Sequence, residues 1–433
     1  MNSHQEPDLT EKQKKAGMLH AHIGQSTGLL VRKFLVSTSV GPLFVKAMGG
    51  SDVQAMLLGG VVWGGTLLRI PISLNIPQSR GKDFMLKLWG IAAVLYLLAL
   101  AIPSLMGTGT ITAWLFLLLA VGGLYCQHAG TTFWWPLLHD VVPEQQRGEF
   151  FGILRTIWQL VLFCAVLAAG LFLGADPPLW KFQVVLITAI ALMVCRNFFV
   201  ARIPERQNYS AEVEKVHWKV SLKQIFNNRP AMLFFAYFAI FTFFVNFFHL
   251  PVVLYMNNRL NFSVSNNTMI FGFKILGMVL ALFLVGRTVD KIGTKRVFVA
   301  SHLLSCIVAF AIIVIGIAGG SHTKPLMIAI LVLSGTTVAS AGLAATAQVF
   351  HLAPVGGRAL FMNSFAVCLM AGYSLAPTTA GLIIDLAPDG WALQLWNYEF
   401  SIYETLFGLS GIMLVLGLFL LRGVDDMKAE EEI

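Results

Sequence analysis

The sequence predicts an all-α, polytopic membrane protein whose twelve transmembrane helices form two pseudo-symmetric six-helix bundles. Composition is the first reason: of 433 residues, 57% are hydrophobic and 12% charged, and the mean hydropathy is +0.74. A soluble domain is nearer 45–50% apolar, with about 25% charged residues. The second reason is the recurrence of apolar runs such as "IAAVLYLLALAIPSL" and "GIMLVLGLFLL" along the whole chain. The third is a repeat that relates the first half of the chain to the second.

A bilayer core about 30 Å thick takes about 20 mostly apolar residues per helix. Twelve segments qualify: 22–46, 53–74, 84–106, 111–139, 149–173, 179–202, 231–256, 267–287, 296–318, 325–350, 359–386 and 402–421. Arg32 and Lys33 interrupt the first. The one long polar insert, "PERQNYSAEVEKVHWKVSLKQIFNNRP", separates the sixth from the seventh. The predicted organisation is a tail (1–21), a first bundle (22–202), a linker (203–230) with a short amphipathic helix near its end, a second bundle (231–421) and a tail (422–433).

The basic residues orient this topology. Of the 30 Lys and Arg, four (Lys46, Lys181, Arg259, Lys324) fall on one side and three (Arg32, Lys33, Lys274) within helices, leaving 23 on the side of both termini. That asymmetry predicts that both termini and the central linker are cytoplasmic, and the expected location is the plasma (inner) membrane. Trp391, Trp396, Tyr398 and Tyr403 then cluster at the outer interface. The net charge of +8 records orientation, and no nucleic-acid partner is expected. No cleaved signal peptide is expected either, because the polar start lacks a small-residue cleavage site. The five cysteines lie inside apolar runs without metal-ligand spacing, so neither disulfides nor a metal site is expected.

The halves repeat at a near-constant offset. "VVPEQQRGEFFG" after helix 4 matches "HLAPVGGRALFM" after helix 10, with Pro143 on Pro354 and Arg147 on Arg358. "SDVQAMLLGG" matches "SVSNNTMIFG", with Ser51 on Ser263 and Gly60 on Gly272. Internal repeats of this kind mark transporter folds.

Between helices 8 and 9 lies "GRTVDKIGTKRV", five charges in twelve residues. Its pattern, G-x-x-x-D-x-x-G-x-K-R with Gly286, Asp290, Gly293, Lys295 and Arg296, resembles the loop signature of the major facilitator superfamily. The "P-x-x-x-R-G" loop carrying Arg147, its counterpart at Arg358, the twelve helices and the central linker extend the resemblance over the whole chain. The corresponding loop after helix 2 keeps Gly81 but has Leu74 and Gln78 where the signature has glycine and aspartate. The resemblance implies a gating role for these loops. It also implies that helices 1, 2, 4 and 5 of each half line a central cavity while helices 3 and 6 face lipid.

Ionisable and polar residues at membrane depth are costly, which makes those in the implied lining candidates for substrate contact. They are Arg32, Gln127, His128, Gln159, Asn246, His249, Lys274, Asn363 and Tyr373. Arg32 and Lys33 point about 100° apart on a helix, so one of the two is expected to face the cavity, with Arg32 favoured for its bidentate fork. Trp134 and Trp135 are either stacking platforms or interface anchors. Arg155 is expected to pair with Asp140 or Glu149. No acidic residue falls at mid-membrane, and the glycine-proline motif of antiporters is missing from helix 5. His139 and Asp140 have no third ligand at fitting spacing, and neither a nucleophile elbow nor a phosphate loop is found, so no enzyme and no cofactor are expected.

The implied function is secondary transport of a small organic solute by alternating access, leaning to an organic anion such as a carboxylate or phosphorylated metabolite. The alternatives are a proton-coupled transporter of neutral or cationic compounds using His128 or His249, and a transporter-like membrane sensor. The expected partners are a small-molecule substrate, a coupling proton or counter-transported anion, and the lipid bilayer, with the protein acting as a monomer.

Overall fold

The computed structural model describes residues 9–143, 147–205, 227–285, 292–352, 358–388, 390–395 and 398–424. Among them eleven helices are long and apolar enough to cross a bilayer, and a bent pair makes a twelfth. The bent pair is α1 (Glu11–Val36, then Val40–Ala47 after a 49° bend). The others are α2 (Asp52–Ser73), α3 (Gly81–Met106), α4 (Thr110–Val141), α5 (Glu149–Leu173), α6 (Leu179–Ala201), α7 (Arg229–Asn258), α8 (Val264–Leu284), α9 (Thr294–Ala318), α10 (Thr323–Val349), α11 (Ser364–Leu386) and α12 (Ile402–Gly423).

Local chemistry sets the helix starts. Thr10 with Gln13, and Ser51 with Gln54, form capping boxes that satisfy the first free N–H groups of α1 and α2. Ser263 caps α8 by accepting from the Asn266 N–H, so the repeat-related serines Ser51 and Ser263 hold the same post. Asn228 caps α7, with Pro230 in its first turn. The capping box at Thr10 starts α1 at Glu11, well ahead of the expected position 22. Arg32 and Lys33 therefore lie inside the helical span and not at its entry. The segment between α11 and α12 holds a feature the sequence reading does not anticipate, a hairpin of β1 (Ala392–Leu395) and β2 (Tyr398–Ser401) paired antiparallel from Ala392–Ser401 to Leu395–Tyr398.

Within the first six helices, α3 packs on α4 and α6, and α1 on α5 and α6. Within the last six, α8 packs on α10, α9 on α10 and α12, and α7 on α11 and α12. The two sets meet where α5 packs on α8 and α2 on α11. Hydrogen bonds joining them cluster at the face away from the chain termini. There Ser39 Oγ donates to Thr268 Oγ1 at 3.0 Å, and the Ser265 N–H donates to the Gly174 carbonyl at 2.9 Å. The Tyr403 hydroxyl donates to Asp52 Oδ2 at 3.0 Å, while Lys46 pairs with Asp52 Oδ1 at 2.6 Å.

Candidate binding site among the first six helices

Three helices lose their regular form at one level of the first set. α1 breaks at Leu29, α2 at Val61 and again at Leu68, and α4 passes through a 3-10 turn at Thr131–Phe133. Arg32, Arg69 and His128 sit beside these breaks. Interrupted helices free backbone carbonyls for side chains, as at the substrate sites of membrane transporters. The Gly28 carbonyl accepts from Gln127 Nε2 at 3.3 Å and from Arg196 Nη1 at 3.2 Å. The Gln127 carbonyl accepts from Trp89 Nε1 at 3.1 Å and the Thr131 hydroxyl at 2.7 Å.

His128 lies between two guanidinium groups. Its Nε2 is 3.5 Å from Arg32 Nη1 and its Nδ1 is 3.3 Å from Arg69 Nη2, while Arg69 Nε donates to the His128 carbonyl at 3.1 Å. Arg196, only 2% exposed, lays its guanidinium 3.2 Å from the Trp89 ring centre and 5.8 Å from that of Trp134. Gly28 makes room for it: a Cβ at that position would overlap the Arg196 Cδ. The three arginines open onto one cavity of about 170 Å³, lined also by Gln25, Gln127, Thr131 and Trp134. Arg32 is within electrostatic reach of both Arg69 and Arg196. Among the described residues, no carboxylate forms an ion pair with any of the three.

Apart from Gln127, which lines the cavity, the other sequence candidates fall elsewhere. Gln127 is saturated, accepting from the Tyr96 hydroxyl at 3.0 Å and donating to Gly28 and to the Met193 sulfur. Lys33 leaves the arginine cavity and places its ammonium 5.5 Å from the Trp158 ring centre, within electrostatic reach of Lys274. Lys274 itself sits 5.3 Å from the Phe271 ring centre. His249 is buried at the break before Pro251, its Nε2 hydrogen bonded to the Ser334 hydroxyl. Gln159 is buried, its side-chain carbonyl without a partner among the described residues. Asn246 donates to the Thr242 carbonyl of its own helix at 2.7 Å, and Tyr373 is half-buried. Trp134 is buried and Trp135 is 51% exposed, so only the first packs inside.

Some expectations need correction or fall outside the described residues. Arg155 forms no ion pair with Asp140 or Glu149 among the described residues. Gly286 and Asp290 lie outside them, as do the linker's central residues and the side chains of Arg147, Arg358 and Asn363. Gly293 takes φ +86° immediately before α9, a conformation that glycine adopts without steric cost. Lys295 donates to the Val424 carbonyl at 3.0 Å and thereby ties the start of α9 to the end of α12. Arg296 is exposed.

Sequence reasoning missed Arg69 and Arg196. The charge asymmetry groups both with the orientation-setting cations and the resemblance turns helix 6 to lipid, yet long side chains carry both guanidinium groups into the bundle. The available signal was a cation inside an apolar run, "LLRIPIS" and "MVCRNFF".

Residues 244–432 match the sequence model of the Major Facilitator Superfamily. No curated protein matches the chain in sequence. Solved structures share its fold. A bacterial homologue of the iron transporter ferroportin in an inward-facing state aligns at 14% identity over 96% of this chain and 99% of that one, with a TM-score of 0.67. A bacterial homologue of the human lysosomal transporter Spinster, inward-facing and occupied, aligns at 11% identity over 96% and 97%, with a TM-score of 0.69. A POT family transporter in complex with 5-aminolevulinic acid aligns at 13% identity over 95% and 96%, with a TM-score of 0.67. Residues 244–432 thus match the Major Facilitator Superfamily, and the chain as a whole shares the fold of these solved membrane transporters.

Proposed function

We propose that the protein is a secondary active transporter that moves a small organic anion by alternating access. One observation carries the reading: Arg32, Arg69 and Arg196 open onto a single cavity without a paired carboxylate among the described residues. An unpaired charge out of water is costly, and an anionic substrate supplies the missing counter-charge for part of the cycle. Lys274 contributes from the second half, across from Lys33. The hydrogen bonds at the face away from the termini belong to a state closed on that face, and the loops holding Gly293 and Lys295 act at the other.

The His128 ring leaves no acceptor for a second proton, since each nitrogen faces a guanidinium. That leaves His249, bonded to Ser334, as our candidate carrier of a coupling proton. Exchange against a second anion is the other way to drive the cycle, and we read the monomer as the working unit.

The test is counterflow of labelled anions in proteoliposomes, with binding measured on detergent-purified variants of equal thermal stability. Arg32→Ala and Lys274→Ala should each lose about 2–5 kcal/mol of binding, at least about tenfold in affinity, and Lys33→Ala less. A neutral or cationic substrate, or wild-type binding by both alanine variants, would overturn the anion reading. We read both termini and the central linker as cytoplasmic from the Lys and Arg asymmetry. An impermeant thiol reagent should then reach Lys215→Cys only after lysis, and rapid labelling in intact cells would reverse the orientation.

A further inference from the structure

The cavity among the first six helices presents donors in excess of acceptors. A guanidinium has five N–H donors and no acceptor. Of those on Arg69 and Arg196, the protein engages two through Arg69, at the His128 carbonyl and ring, and one through Arg196, at the Gly28 carbonyl. Arg196 Nε is buried without a partner among the described residues, and so is the indole N–H of Trp134, which lines the same cavity. His128 adds to the excess. A neutral imidazole accepts at one nitrogen and donates at the other, yet both of its nitrogens face guanidinium donors, at 3.5 Å and 3.3 Å. Whichever tautomer forms, one of those contacts sets donor against donor.

These demands discriminate between anions. A carboxylate brings one charge and two oxygens, whereas a phosphate monoester brings a charge of about −1.5 to −2 and three strong acceptor oxygens. Guanidinium forks match a phosphoryl group bidentately, which an ammonium does not do. The cavity, at about 170 Å³, is below the roughly 300–1,000 Å³ of pockets for drug-sized ligands. It takes a small ligand or the head of a larger one.

We propose that this cavity is a phosphoryl-binding site in which Arg69 and Arg196, together with Arg32, hold the terminal oxygens of a phosphate dianion. The proposal rests on the anion reading above and narrows it to phosphoryl compounds. The dianion has three sources, namely inorganic phosphate, a soluble phosphate monoester and a lipid phosphate headgroup.

Calorimetry on detergent-purified protein with four probes tests it: inorganic phosphate, glycerol 3-phosphate, short-chain phosphatidic acid, and glycerate as the carboxylate control. At least one phosphoryl probe should bind about tenfold more tightly than glycerate, and the tightest of the three identifies the source. Arg69→Lys, which keeps the charge and removes the fork, should abolish that preference while thermal unfolding stays unchanged. Arg196→Lys is the second variant, read in the same way if it folds with wild-type stability. Glycerate binding as tightly as every phosphoryl probe would overturn the phosphoryl assignment and leave the anion reading standing. No binding of any phosphoryl probe at millimolar concentration would also overturn it, and the anion reading would then be decided by the counterflow of Arg32→Ala. A preference that survives Arg69→Lys would remove Arg69 from the site.

Discussion

The cavity of the first six helices and the core of the last six both bury polar groups, but in opposite surroundings. Beside His128 stand the Arg32 and Arg69 guanidinium groups, which share a cavity of about 170 Å³ with Arg196. The buried His302 instead meets the Tyr237 hydroxyl at 3.2 Å and the Phe241 ring at 4.7 Å between centres. Phe234, Phe235, Phe238 and Phe365 stack around one another nearby. One histidine lies between two cations, and the other, its Nε2 without a partner among the described residues, is packed among rings. The difference teaches that a polar residue at membrane depth marks a candidate binding site when the charges around it lack counter-charges, and a packing role when aromatic rings surround it. On the reading proposed above, the arginine cavity of the first set, joined by Lys274 of the second, recognises the ligand, and the aromatic core of the second supplies rigidity.

The largest expected effect breaks the aromatic side of this comparison. Phe234 is fully buried, with ring centres 5.4 Å from Phe365, 5.8 Å from Phe238 and 5.8 Å from Phe298. Helices in lipid associate through such packing and not through the hydrophobic effect. Phe234→Ala should therefore open a cavity and cost on the order of 3 kcal/mol. Thermal unfolding in detergent should fall by several degrees, while anion affinity below the transition stays at the wild-type value. A matching loss of affinity in the folded variant would show that the aromatic core shapes the site, and the division of labour would fail.

How much of this was legible follows from the reach of each signal. Apolar runs and capping serines are local, so the helices and the equivalence of Ser51 and Ser263 could be read directly. The start of α1 was hidden because residues 11–21 are polar, and the capping box at Thr10 carries the helix through them. Arg32 stood out as a charge inside an apolar run. Arg69 and Arg196 did not, because their backbones lie where orientation-setting cations also lie, and tertiary packing alone turns their side chains inward. The Gly28 carbonyl gave no signal at all, since its availability depends on the break at Leu29. The hairpin Ala392–Ser401 was masked by its aromatic residues, which read equally well as interface anchors.

A smaller and more discriminating effect comes from a matched pair of tyrosines. Tyr96 and Tyr237 are each 1% exposed and each give their hydroxyl one partner, Gln127 Oε1 at 3.0 Å and His302 Nδ1 at 3.2 Å. Replacing either by Phe removes one buried hydrogen bond, a loss of about 0.6 kcal/mol on average within membranes, and so the two variants should lose similar stability. Their consequences for binding should separate. Gln127, released from Tyr96, still donates to the Gly28 carbonyl that also holds Arg196. Freedom at Gln127 therefore reaches a guanidinium of the cavity, and anion affinity should fall by about threefold, the equivalent of that one bond. His302 has no such connection, because its Nε2 faces Gly417 and its ring lies among Phe241 and Tyr237. Tyr237→Phe should leave affinity unchanged. Calorimetric titration of both variants beside their melting curves decides the matter. Equal affinity losses would mean that the two regions are coupled through the bundle, and wild-type affinity in Tyr96→Phe would mean that Gln127 holds Arg196 without help from α3.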